Sequence, residues 1–107
     1  MNNRKAIAIE FARKINSDLI KEIILFGSVA RGDDGEDSDI DILIVSNHQD
    51  SIENIITDAI AEIVIEEHEL ISAHVMSEER FNKTKDYSFL SNVLEEGVVI
   101  GWIRRVH

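Results

Sequence analysis

Two short runs of this chain have the residue types and spacing that phosphate and metal chemistry requires. One is Phe26-Gly-Ser-Val-Ala-Arg-Gly32, and the other is Ser38-Asp39-Ile40-Asp41 at the head of an apolar stretch ending at Val45. Alternate side chains of a strand share a face, so Asp39 and Asp41 project together about 7 Å apart along the backbone. Ile40, Ile42 and Ile44 then turn to the opposite face and anchor the strand. Such a pair can share one divalent cation or hold two, a geometry suited to phosphoryl or nucleotidyl transfer. Magnesium is the first choice, because it prefers oxygen ligands and keeps water and substrate phosphates in its shell.

Gly27 and Ser28 stand where a preceding strand ends. A side chain at position 27 would obstruct a phosphate chain, whereas the Ser28 hydroxyl and the amides after it can form an anion-binding turn or short helix start. Arg31 offers a planar fork of donors to anionic oxygens, and Gly32 lets the chain turn toward the acidic loop. A lone Gly-Ser or Asp-x-Asp says little. Their order, with a strand, Gly-Ser, a short connection and Asp-x-Asp on the next strand, reads as a nucleotide site.

The elements that must hold these residues follow from periodicity. Residues 5–16 read as a helix with Ile7, Ala8, Phe11, Ala12 and Ile15 on one face, and residues 22–26 as a short strand. Residues 40–45 are apolar enough for a central strand. Asp50 or Ser51 is expected to cap a long helix with the stripe Ile52, Ile55, Ile56, Ala59, Ile60, Ile63 and Val64. A third strand is expected over residues 69–76, then Ser77 as a cap with Glu78 and Glu79 in a first helical turn. Residues 87–96 suggest a helix burying Phe89, Leu90, Val93 and Leu94 and closed by Gly97, before an edge strand over 98–103. The expected fold is α/β (α+β), with helices on a small mixed sheet, in a single domain over residues 1–107.

Composition narrows the chemistry. The 107 residues are 44% hydrophobic and 30% charged, and they contain neither cysteine nor proline. Thiolate nucleophiles, disulfides and iron–sulfur ligation are thereby excluded. His48, His68, His74 and His107 lack the HExxH spacing of a zinc site. The N-terminal residues do not read as a secretory signal, and no run suffices for a membrane span; the expected location is the cytoplasm. Net charge is −10, and between Arg31 and Arg80 there are 15 acidic residues and no Lys or Arg. Direct nucleic-acid binding is disfavoured on that ground.

Gly27-Ser28, Arg31-Gly32 and Ser38-Asp39-Ile40-Asp41 together resemble the signature of minimal nucleotidyltransferases, small members of the polymerase-beta-like superfamily. The resemblance runs from about Leu19 to Ile103 and is strongest between Leu25 and Val45. It implies a Gly-Ser turn holding the β and γ phosphates of a nucleoside triphosphate, ATP first among them. It implies Asp39 and Asp41 as magnesium ligands, and an acceptor oxygen attacking the α-phosphorus. Ser38, Arg31 and Gly32 complete the nucleotide-contacting set. Many such proteins accompany a ribonuclease toxin of the HEPN type, neutralising it by binding it or by transferring AMP to its tyrosine; homo-oligomers are a further partner class.

The family's active members add a third carboxylate on a later strand. Here the best register puts His74, or secondarily Ser72, at that position, while Glu69 has the opposite parity. A neutral imidazole at His74 could take the acceptor's proton; the alternative is a structural residue covering the sheet. Asp33, Asp34, Glu36 and Asp37 read first as solvated loop residues, and Glu66 and Glu67 as the polar end of a helix, with a displaced metal carboxylate as their other role. Trp102 and Ile103, followed by Arg104 and Arg105, could anchor a partner if exposed, although core packing of Trp102 is the simpler reading. Two functions stay open: a transferase, or a catalytically weak nucleotide- or partner-binding domain.

Overall fold

A computed structural model of the chain describes residues 3–102, and the side chains of all of these except residues 88, 89 and 102. The element order is α1 (Arg4–Ile15), β1 (Glu22–Phe26), α2 (Gly27–Arg31), β2 (Ile40–Val45), α3 (Gln49–Glu67), β3 (Ile71–Met76), α4 (Glu78–Thr84), α5 (Ser88–Glu96) and β4 (Val98–Trp102). The strands form one mixed sheet in the order β3-β2-β1-β4. β1 is antiparallel to both β2 and β4, and β2 is parallel to β3 through the α3 crossover. This is the α/β architecture expected, with a small mixed sheet packed against helices.

Period-two alternation divides the sheet into two unlike faces. Ile23, Leu25, Ile40, Ile42, Ile44 and Ile71 join the α1 and α3 stripes in a continuous apolar core. On the other face Ile24, Phe26 and Leu43 pack with Leu90 and Val93 of α5, and Met76 and Phe81 lie against them. Asp41, Ser72 and His74 share the parity of this second face. The first face is packed with aliphatic side chains, and these candidate site residues lie on the second.

Several local expectations need correction. α3 starts at Gln49 behind His48, with no side-chain cap bond. The preceding turn is held instead by buried Ser46, whose Oγ donates to the Leu19 carbonyl at 2.6 Å and accepts from the His48 amide at 3.0 Å. Asp50 thus lies inside the first turn. Ile55 is 40% exposed, because the buried stripe of α3 narrows to Ile52, Ile56, Ala59 and Ile63. β3 begins two residues later than expected, since Glu69 is bonded to Arg4 and the Leu70 carbonyl accepts from the Ile40 amide at 2.9 Å. Leu94 is 43% exposed whereas Leu90 and Val93 are buried. Ser77 caps α4 as expected, accepting from the Arg80 amide. The Phe89 and Trp102 side chains, Ile103, Arg104, Arg105 and His107 lie outside the described residues.

Arg4 fastens the acidic loop between α2 and β2. Arg4, in the first turn of α1, gives Nε to Glu69 at 2.9 Å and Nη1 to Asp34 at 2.8 Å. It also donates to the backbone carbonyls of Gly35 and Glu36. Its side chain is only 13% exposed, and charge-assisted bonds of this kind are the stronger class. Arg4→Gln is expected to lower the thermal midpoint while preserving the strands, and to speed amide exchange at Gly35 and Ser38. Unchanged exchange at both amides would show that the loop holds itself.

Candidate active site

Antiparallel register places Phe26 opposite Asp41, so the residue that follows, Gly27, leaves β1 directly beside that carboxylate. Gly27 has φ +75°, a left-handed conformation natural to glycine. A Cβ built there would collide with Asp41 Oδ2 and come within 3.1 Å of Cγ. Position 27 is thus restricted twice, by backbone and by space. Ser28 follows, half-buried, at the second position of the short α2. Gly32 closes α2 with φ +82°; the Gly32 and Asp33 amides both donate to the Ser28 carbonyl, at 2.9 and 3.0 Å.

Parallel register then sets Ser72 opposite Asp41 and His74 opposite Leu43. Ser72 Oγ and His74 Nε2 are 3.4 Å apart, and the His74 ring sits 5.8 Å from that of Phe26. Burial pushes the Asp41 carboxyl above its ordinary range. His74 opposes that shift, Asp39 adds to it, and Arg31 opposes it again. Asp39, Arg31 and His74 are therefore all close enough to act electrostatically on Asp41. Among the described residues no three Asp, Glu or His side chains converge tightly enough to hold a metal by themselves.

Other expected residues have different attachments. Ser38 closes a turn, its Oγ accepting from the Gly35 amide at 2.9 Å. Arg31 is engaged by Asp33 at 3.2 Å and by Glu96 of α5 at 2.9 Å. Asp33 and Asp34 are thus ion-paired rather than simply solvated. Glu69 faces Arg4, away from Asp41, as its parity requires. His68 caps α3 in a left-handed conformation. Sequence reasoning missed Arg4 and Glu96, since each looks like an ordinary exposed charge on its own helix; only the fold reveals partners as far as 65 residues away.

Because the folded chain disfavours the Asp41 carboxylate, that group opposes folding above its unfolded pKa, and the cost is complete once pH exceeds the raised folded value. Asp41→Asn is accordingly expected to stabilise the metal-free protein at pH 7. The gain should vanish below about pH 4, where an ordinary Asp is itself protonated. Urea melts of both proteins across that range provide the check, and a destabilised variant at pH 7 would contradict the inference.

The comparisons agree with this architecture. A family model described as the nucleotidyltransferase domain matches residues 6–100. The chain is 48% identical over 103 residues to a Methanocaldococcus jannaschii protein named "Putative protein adenylyltransferase", covering 94% of this chain and 99% of that one. Among solved structures, a mutant of the toxin–antitoxin MntA-HpeT gives a TM-score of 0.61 at 17% identity, over 97% of this chain and 76% of that one. A toxin–antitoxin structure with AMP-PNP gives 0.60 at 15% identity with the same coverages. These two likenesses concern the fold, and the mixed sheet with its helices matches polymerase-beta-like architecture. From its family match and its close relative, this chain belongs to the nucleotidyltransferase domain family.

Proposed function

We propose that the chain is a magnesium-dependent nucleotidyltransferase moving a nucleoside monophosphate, AMP first among them, from a nucleoside triphosphate to a protein hydroxyl such as that of a tyrosine. The observation carrying this reading is the approach of Gly27 to Asp41, which joins the Gly-Ser strand exit to the acidic pair. The name of the 48% identical relative supports a protein as acceptor.

The donor set fits magnesium. That ion commonly takes one or two carboxylates and fills its shell with water and substrate phosphates, which Asp39 and Asp41 would satisfy as a pair. Bound there, magnesium would neutralise phosphate charge and polarise the reacting phosphoryl group. Gly27 keeps the strand exit open to a phosphate chain, Ser28 and Arg31 donate to phosphate oxygens, and Gly32 lets α2 end where the loop must turn. Ser38 shapes the approach to Asp39 through its turn bond. The acceptor oxygen bonds to the α-phosphorus, the bond from that phosphorus to the bridging oxygen breaks, and pyrophosphate leaves with the electron pair. His74 receives the acceptor's proton.

One observation favours a second reading, a catalytically weak domain that neutralises a HEPN-type ribonuclease by forming a complex with it. The positions across from Asp41 and Leu43 on β3 hold Ser72 and His74 rather than a carboxylate. The two structures of similar fold are of toxin–antitoxin proteins, which supports a protein partner on either reading.

Titration with magnesium and AMP-PNP tests nucleotide binding. Asp39→Asn and Asp41→Asn should each weaken metal-dependent affinity tenfold or more, about 1.4 kcal/mol, and Gly27→Val should do likewise. Wild-type affinity in all three would remove the site.

Following labelled AMP into a co-purified partner tests transfer. Slow transfer is expected from the isolated chain. His74→Ala should slow it further without loss of nucleotide binding, whereas His74→Asp should strengthen binding of a second cation and speed it. Nucleotide binding without any transfer, together with neutralisation that survives Asp41→Asn, would favour the second reading.

A further inference from the structure

Arg31 is held between two carboxylates of different origin. Asp33 belongs to the same turn, since its amide bonds the Ser28 carbonyl at 3.0 Å, so it moves with α2. Glu96 is the last residue of α5 and reaches Arg31 across the fold, Nη1 to Oε2 at 2.9 Å. The two side chains of that pair are 42% and 39% exposed. An ion pair so open to water contributes little net stability and exchanges readily.

The charges around it settle which way this tie works. Asp33, Glu96 and Asp41 outnumber Arg31, which acts electrostatically on the Asp41 carboxyl. While both carboxylates are engaged, the guanidinium charge is already answered, and an arriving phosphate chain meets a surface of its own sign. A phosphate oxygen can use the planar donor fork fully only by replacing one carboxylate. The Asp33 backbone is tied into the same turn as Arg31, so its carboxylate, although 61% exposed, stays beside the guanidinium. Glu96 is the one that can swing away, because it ends a helix and its partner lies on another element.

We propose that Glu96 is a positioning residue that holds Arg31 in the nucleotide-free chain and is displaced when a nucleoside triphosphate binds. Glu96 and the triphosphate therefore compete for the same donors. The inference rests on the nucleotidyltransferase reading above and adds to it a restraint contributed by α5, outside the signature segment.

The test measures affinity for AMP-PNP with magnesium in wild type, Glu96→Gln, Glu95→Gln and Arg31→Gln, and in the double variant Arg31→Gln/Glu96→Gln. Glu95→Gln removes the same charge from the neighbouring exposed position, which makes neither of the Arg31 ion pairs. Glu96→Gln should tighten binding three- to tenfold, Glu95→Gln should change it less than twofold, and the gain should disappear when Arg31 is Gln. Circular dichroism and thermal melts of each variant verify folding. Weaker or unchanged binding in Glu96→Gln would overturn the proposal, as would an equal gain in Glu95→Gln or a gain that survives loss of Arg31. Absence of triphosphate binding in every protein, Glu96→Gln included, would refute the nucleotide reading and this proposal with it. Normal wild-type binding that is indifferent to Glu96 would refute the proposal alone.

Discussion

The close approach of Gly27 to the Asp41 carboxylate constrains the rest of the structure. The register of β1 against β2 fixes Phe26 opposite Asp41, and the next residue occupies space where a Cβ would collide. Neither strand can slip by one residue without exchanging its buried and opposite faces. Residues 27–39 must therefore leave β1 and return to β2 within a short radius. A one-turn helix, a left-handed glycine and a loop fastened by Arg4 accomplish that return.

The unequal covering of the two sheet faces explains why the Asp41 carboxylate is neither buried away nor fully solvated. α1 and α3 close the first face with aliphatic side chains. α5 covers only part of the second, through Leu90 and Val93 over Ile24, Phe26 and Leu43. Asp41 lies beyond that cover, half-buried, and burial accordingly disfavours its charged form. A fully solvated carboxylate would bind a cation weakly in competition with water. A fully buried one would take up a proton instead.

Much of this was legible from local pattern. Alternation from Ile40 to Val45 assigned Asp41 to the face opposite the isoleucines, and the 3.6-residue stripe located the buried side of α3. The strand limits of β1 and β2 coincide with the sequence reading. What local pattern could not supply was tertiary. Ser46 organises the entry to α3 by bonding the Leu19 carbonyl, so the capping residues nearest the helix were not the ones used. Arg4 and Glu96 resemble solvated helix charges until the fold brings Glu69 to one and Arg31 to the other. Ile55 fits the apolar stripe by spacing, yet is 40% exposed.

The third position of the site follows from the same register logic. Parallel pairing puts Ser72 against Asp41, and Ile71, Ala73 and Val75 pack with the core of the opposite face. Sliding β3 by one residue would expose those three and bury Ser72 and His74, an exchange the core resists. Glu69 shares the parity of the core-facing residues and is drawn to Arg4. A carboxylate thus cannot reach the second face through a shift of β3 that keeps its core contacts. The groups that β3 itself presents there are a hydroxyl and an imidazole, 3.4 Å apart. An imidazole can accept a proton but adds no fixed negative charge, so a second cation would be held less firmly than by a third acid. On the transferase reading proposed above, that difference would bear on transfer more directly than on the binding of a triphosphate.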